Sequence, residues 1–131
     1  MIVLDASVLI GHFEPADAHH AEATALLRAH ATESFGASVI TLAEVCAGAA
    51  RAERAELLQR LLAELQVESL ELPADAAPRL GELRATTGLM MPDCCVLYTA
   101  VRHAASVATF DEKLAARATD LGVAVATTTR G

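Results

Sequence analysis

The 131-residue chain has no tryptophan, one tyrosine and three phenylalanines, so aromatic stacking is poorly supported as its means of recognising a ligand. It has a single lysine against nine arginines. Its three cysteines, Cys46, Cys94 and Cys95, include an adjacent pair and show no paired C-x-x-C spacing. That excludes a disulfide framework and a structural zinc site and leaves them as small core residues. No apolar run approaches the roughly 20 residues that span a bilayer, and the start MIVLDASVLIGHF lacks the basic region of a signal peptide. A soluble cytoplasmic protein with no membrane partner is expected. Positive charge is also short: the net charge of −7 argues against a generally basic surface that would hold nucleic acid by its phosphates.

What is present is apolar residue and acid. With 53% hydrophobic residues and a mean hydropathy of +0.37, the chain can bury a real core as one domain spanning residues 1–131. Four acids stand just beyond or inside apolar stretches: Asp5 in MIVLDAS, Glu44 in ITLAEV, Asp93 in MMPDCC and Asp111 in VATFDEK. An ionised carboxylate is costly in such surroundings, and several together repel one another, so a divalent cation is the natural compensating charge. If these four face cations, more than half of the net negative charge no longer opposes a phosphate backbone.

Apolar β-type runs alternate with helical ones, the pattern of an α/β fold whose central parallel sheet of about four to five strands is flanked by helices. Strands are expected at 2–4, 37–40, 67–72, 106–110 and 123–126, with a polar tail at 127–131. Helices are expected at 7–13; at 17–31, capped by Asp17 and buried through Ala25, Leu26 and Ala29; and from Thr41, with Leu42, Val45 and Cys46 on one side and Glu44 on another. Further helices are expected at 52–65, with a wide leucine face, and at 74–87, stopped by Gly88. Two more follow, one from Pro92, packing through Val96, Leu97, Ala100, Val101 and Ala104, and one at 112–121, stopped by Gly122.

Ligands of open parallel sheets bind beyond the carboxyl ends of the strands. Asp5 follows the first strand and Asp111 the fourth; Glu44 and Asp93 are expected in the first turns of helices. All four can converge on one rim as an oxygen-only site, suited to Mg²⁺ or Mn²⁺. Such a cation acidifies a water that can attack a phosphodiester and stabilises charge on the leaving oxygen. Each acid also has a plain reading as a helix cap or dipole partner. Asp111 is the weakest of the four, because capping the helix at 112–121 would account for it fully.

In the order V-L-D-A-S, T-L-A-E-V, P-D and T-F-D-x-x-L, the chain resembles the PIN-domain ribonucleases, and among them the toxin subunits of bacterial VapBC toxin–antitoxin systems. The resemblance covers nearly the whole chain. It implies a Mg²⁺- or Mn²⁺-dependent endoribonuclease silenced by a cognate antitoxin, a homodimeric arrangement, and a parallel sheet with the first strand central. Carried over, it makes Asp5 and Asp93 the metal-contacting acids, with Glu44 and Asp111 acting through water, a second metal or the attacking water. Ser7 and Thr109 match hydroxyl positions that bond a carboxylate or a metal's water.

Two other classes remain for comparison. A dehalogenase-like hydrolase wants an acid two residues after Asp5, where Ser7 stands, and a receiver domain wants adjacent acids before that position. A non-catalytic binding module of the same fold would not need all four acids. Arg102, Lys113 and Arg117 are candidates to touch phosphates, and His103 to touch RNA; His19 and His20 read as solvated surface. With so few aromatics, recognition of RNA shape or loop backbone is expected. The leucine-rich helix reads either as cover for the sheet or, with Leu26 and Leu27, as additional apolar surface for an antitoxin peptide or a second subunit, and the acidic groove as favouring an arginine of the antitoxin.

Overall fold

The computed structural model describes residues 1–128; residues 129–131, the end of the expected polar tail, lie outside it. Four short strands, β1 (Ile2–Leu4), β2 (Phe35–Ser38), β3 (Val67–Leu70) and β4 (Ser106–Ala108), form one parallel sheet in the order β3-β2-β1-β4. The first strand is interior, with β2 and β4 as its neighbours. Side chains alternate across its pleat: Ile2 and Leu4 enter one core and Val3 the other. A sheet buried on both faces needs helices on both, and the chain supplies them between strands.

One core packs α1 (Ala6–Phe13), α2 (His20–Ala29), α3 (Val39–Arg51) and α4 (Ala55–Leu65) against the sheet through Val8, Leu9, Leu26, Leu27, Val45 and Leu58. The other packs α5 (Ala77–Thr87), α6 (Met91–Arg102) and α7 (Glu112–Asp120) through Leu83, Val96, Leu97 and Leu114. Among the described residues no helix is long and apolar enough to cross a membrane. The cysteines are free, with Cys94 and Cys95 buried.

Several boundaries differ from the sequence reading. The second strand lies two residues earlier than expected, because Ser38 ends it as the cap of α3, its hydroxyl accepting from the Ile40 amide at 3.2 Å. The β-branched Val39 and Ile40 therefore open a helix and stay exposed. Gly36 belongs inside β2 because a Cβ there would fall 2.6 Å from Leu70 Cδ1. Asp17 caps no helix: its carboxylate accepts from the His19 amide at 2.8 Å in a turn, and α2 starts at His20. Glu53 at φ 57 separates α3 from α4. The expected fifth strand reduces to a single parallel bridge between Val125 and Val107.

Two packing expectations also change. Ala23, Leu26 and Leu27 form the buried stripe of α2 and Ala25 is exposed. Leu26 and Leu27, 2% and 4% exposed, therefore offer no surface to a partner. On α6, Val101 faces outward while Cys94 and Cys95 take inward places, and Ala104 lies beyond the end of the helix, exposed. The leucine face of α4 mostly covers the sheet: Leu58 is buried, Leu61, Leu62 and Leu65 pack against the core, and Leu57 is exposed.

Candidate active site

Two of the acids that the sequence singled out, Asp5 and Asp111, stand just beyond the carboxyl ends of β1 and β4. Asp5 leaves β1 and caps α1, its Oδ1 accepting from the Val8 amide at 3.1 Å and from Ser7 Oγ at 2.7 Å. Thr109, the residue after β4, donates its hydroxyl to Asp5 Oδ2. Ser7 Oγ in turn accepts from the Phe110 amide at 3.0 Å, and Thr109 Oγ1 from the Asp111 amide at 2.9 Å. These bonds tie the ends of two adjacent strands together around one carboxylate that is only 3% exposed. Burial pushes the Asp5 carboxyl above its ordinary range; the Thr109, Ser7 and Val8 bonds pull it back, and the Asp111 charge adds to the rise.

Asp93 sits in the first turn of α6, half-buried. Its carboxyl is pushed up to about 6, by burial first and then by the charges of Asp111, Asp5 and Glu44; the Lys113 ammonium opposes them. One carboxylate thus lies in the field of the other three. Glu44 also raises the Cys95 thiol, after burial and the neighbouring Cys94. Because α3 begins at Val39, Glu44 stands in its second turn rather than its first. Asp111 does cap α7, Oδ1 accepting from the Leu114 amide at 2.9 Å, and it acts on both Asp5 and Asp93 as well. The cap and the shared field coexist in one residue.

The donor chemistry fits a hard divalent cation: oxygen ligands only, excess negative charge, and an aspartate whose ionisation its neighbours oppose. Among the described residues, no three His, Cys, Asp or Glu side chains are already drawn together as a metal cage. Asp5 and Asp111 have oxygens engaged by hydroxyl and amide donors.

Of the cationic candidates, Lys113 stands at the site, its Nζ donating to the Gly88 carbonyl at 3.2 Å while it acts on Asp93. Arg102 ends α6, roughly 13 Å along the helix from Asp93, and with His103 lines a surface pocket beside Glu68 and Glu71. Arg117 is paired with Asp120 at 3.2 Å. His20 is half-buried and bonds the Gly11 carbonyl at 2.9 Å, and its ring stacks near that of His12.

One feature of the rim escaped the sequence reading. The His19 ring stacks on that of Phe110, centroids 4.6 Å apart and planes 14° from parallel, immediately beside Thr109 and Asp111. The partners are far apart in the chain, and only the T-F-D placement of Phe110 next to a candidate acid hinted at it.

The family model described as the PIN domain matches residues 2–120. Among solved structures, a toxin–antitoxin complex from Klebsiella pneumoniae is similar over the whole of both chains, at 24% identity and a TM-score of 0.76. FitAcB from Neisseria gonorrhoeae is similar over 98% of each chain, at 25% identity and a TM-score of 0.73. VapC20 from Mycobacterium tuberculosis, described as a sarcin-ricin loop cleaving toxin, aligns over the whole of both chains at 16% identity and a TM-score of 0.76. No curated protein sequence matches. The family match runs from the first residue of β1 to the last of α7, and the chain belongs to the PIN-domain family.

Proposed function

We propose that this chain is the toxin of a toxin–antitoxin pair and acts as a metal-dependent endoribonuclease. The observation that carries the proposal is the carboxyl edge itself: Asp5 is tied by Ser7 and Thr109 between β1 and β4, and its charge acts with those of Asp111 and Glu44 on Asp93, on a PIN fold. Asp5 and Asp93 would hold Mg²⁺ or Mn²⁺. The bound cation supplies compensating charge, acidifies water and polarises the phosphodiester.

The chain's own groups do the rest. Ser7 and Thr109 keep the Asp5 carboxylate oriented, so its ligand geometry is set before substrate arrives. Glu44 and Asp111 orient the attacking water and accept its proton. The water oxygen bonds phosphorus as the bond to the leaving oxygen breaks, and the leaving oxygen takes a proton from solvent water, yielding one phosphate end and one hydroxyl end. Lys113, the cation at the rim, steadies the phosphate.

RNA as substrate and an antitoxin as partner are supported by the structural relatives, one a sarcin-ricin loop cleaving toxin and one a toxin–antitoxin complex. The acidic groove suits an inhibiting arginine from that antitoxin, and a homodimer is the proposed assembly. Purified protein incubated with RNA tests the activity. Cleavage is expected with Mg²⁺ or Mn²⁺ and none with EDTA. Asp5→Asn and Asp93→Asn should fold and lose at least about 100-fold in rate, the upper end of what groups bonded to a metal ligand contribute. Cleavage that survives EDTA, or an unimpaired Asp5→Asn, would overturn the proposal.

A further inference from the structure

We infer that the His19–Phe110 stack is a platform for one unpaired nucleobase of the bound RNA, next to the bond that is cut; the inference rests on the nuclease reading of the neighbouring carboxylates. Phe110 packs against the core and its amide donates to Ser7 Oγ at 3.0 Å, the same hydroxyl that holds Asp5. The ring is thereby fixed relative to the candidate catalytic carboxylate. His19 covers it in a nearly parallel stack, and the His19 side chain is still 48% exposed. The core is on one side of the pair, so the imidazole is its outer layer.

The imidazole is itself held. The His19 amide donates to Asp17 Oδ1 at 2.8 Å, fixing the turn ahead of α2, and Nδ1 lies 3.4 Å from Glu22 Oε2. An exposed planar ring held rigidly beside a phosphate-cleaving rim is the arrangement that stacks a base without reading its edge, since every base has a π-face. The bases of a duplex already stack on each other, so the platform selects an unpaired nucleotide in a loop or single strand. This gives an aromatic-poor chain a stacking surface built from one histidine and one phenylalanine.

The test is a stopped-flow titration of a single-stranded RNA oligonucleotide carrying 2-aminopurine, read before cleavage in Mg²⁺. Wild type is expected to quench the probe. His19→Ala should bind about 5- to 150-fold more weakly, equivalent to about 1–3 kcal/mol per stacked base, and lose the quench, whereas His19→Phe should restore both. The same probe within a duplex should not be quenched. Unquenched probe with wild type, or equal affinity for wild type and His19→Ala, would overturn the inference. So would a lowered Tm in His19→Ala with unchanged affinity, the mark of a stack that only packs a loop. Cleavage measured alongside separates the two readings. Quenched but uncut RNA removes the nuclease and leaves the platform; cut RNA with the same KM for His19→Ala does the reverse.

Discussion

Replacing Asp93 by asparagine should stabilise the metal-free protein, by an amount that grows above about pH 4 and is complete above about pH 6. The Asp93 carboxyl is raised from an ordinary 3.8 to about 6 by burial and by Asp111, Asp5 and Glu44. A carboxyl that binds its proton more tightly folded than unfolded makes stability fall as pH rises between those two values, with the full penalty present above the higher one. At 1.36 kcal/mol per pKa unit the upper bound is about 3 kcal/mol; solvent screening at this half-buried position reduces it to about 1–2 kcal/mol.

Asparagine keeps the shape and removes the charge. Urea or thermal unfolding in EDTA at pH 7.5 should therefore show Asp93→Asn more stable by that amount, with Tm higher by roughly 3–8 °C. At pH 4 the wild-type group is mostly protonated and the gap should close. Excess Mg²⁺ should close it at pH 7.5 as well, because binding to the native state stabilises the wild type and not the variant. An Asp93→Asn protein less stable than wild type at pH 7.5 in EDTA, or a gap that ignores pH, would refute the idea that four carboxylates share one field.

Thr109→Val should remove the donor to Asp5 Oδ2 and the acceptor for the Asp111 amide. Chemical denaturation should show a loss of about 1–3 kcal/mol, and RNA cleavage should slow by about 10- to 100-fold as Asp5 loses its orienting bond. An unchanged cleavage rate would make Thr109 purely structural. Gly36→Ala would force a methyl to within 2.6 Å of Leu70 Cδ1 and 3.1 Å of Met1 Sδ. A loss of about 1–3 kcal/mol in urea unfolding is expected from overpacking between β2 and β3; a neutral result would mean that this strand pair yields easily.

What the sequence made legible was local chemistry. β1 was readable from Ile2, Val3 and Leu4, and Gly88 at φ 71 and Gly122 at φ 76 stop or follow their helices where glycine is favoured. Pro92 marked the start of α6 because a proline in the first turn forfeits no helical bond. The order of the acids placed Asp5 and Asp111 just beyond strands, where they stand. The missed boundaries arose where two local signals competed: Ser38 as a cap against the β-branched Val39 and Ile40, and Asp17 as a turn residue against its use as a helix cap.

The remainder was non-local. That Leu26 and Leu27 are covered while Val101 is not depends on which helices meet, which periodicity along one helix does not contain. Thr109 reaches Asp5 across 104 positions, and His19 meets Phe110 across a similar span. The hydroxyl was placed by the family pattern; of the stacked pair, that pattern marked only Phe110, as the neighbour of an acid. Arg102 was a candidate for phosphate contact only because it shares a helix with Asp93, and it stands at the other end of that helix.

The most direct test of the central claim maps RNA 5′ ends in cells after brief induction of the wild-type chain and, in parallel, of Asp5→Asn. The four-carboxylate site predicts discrete new ends with the wild type, which also name the RNA that is cut, and none with Asp5→Asn at equal protein level. Identical end profiles from the two proteins would contradict it.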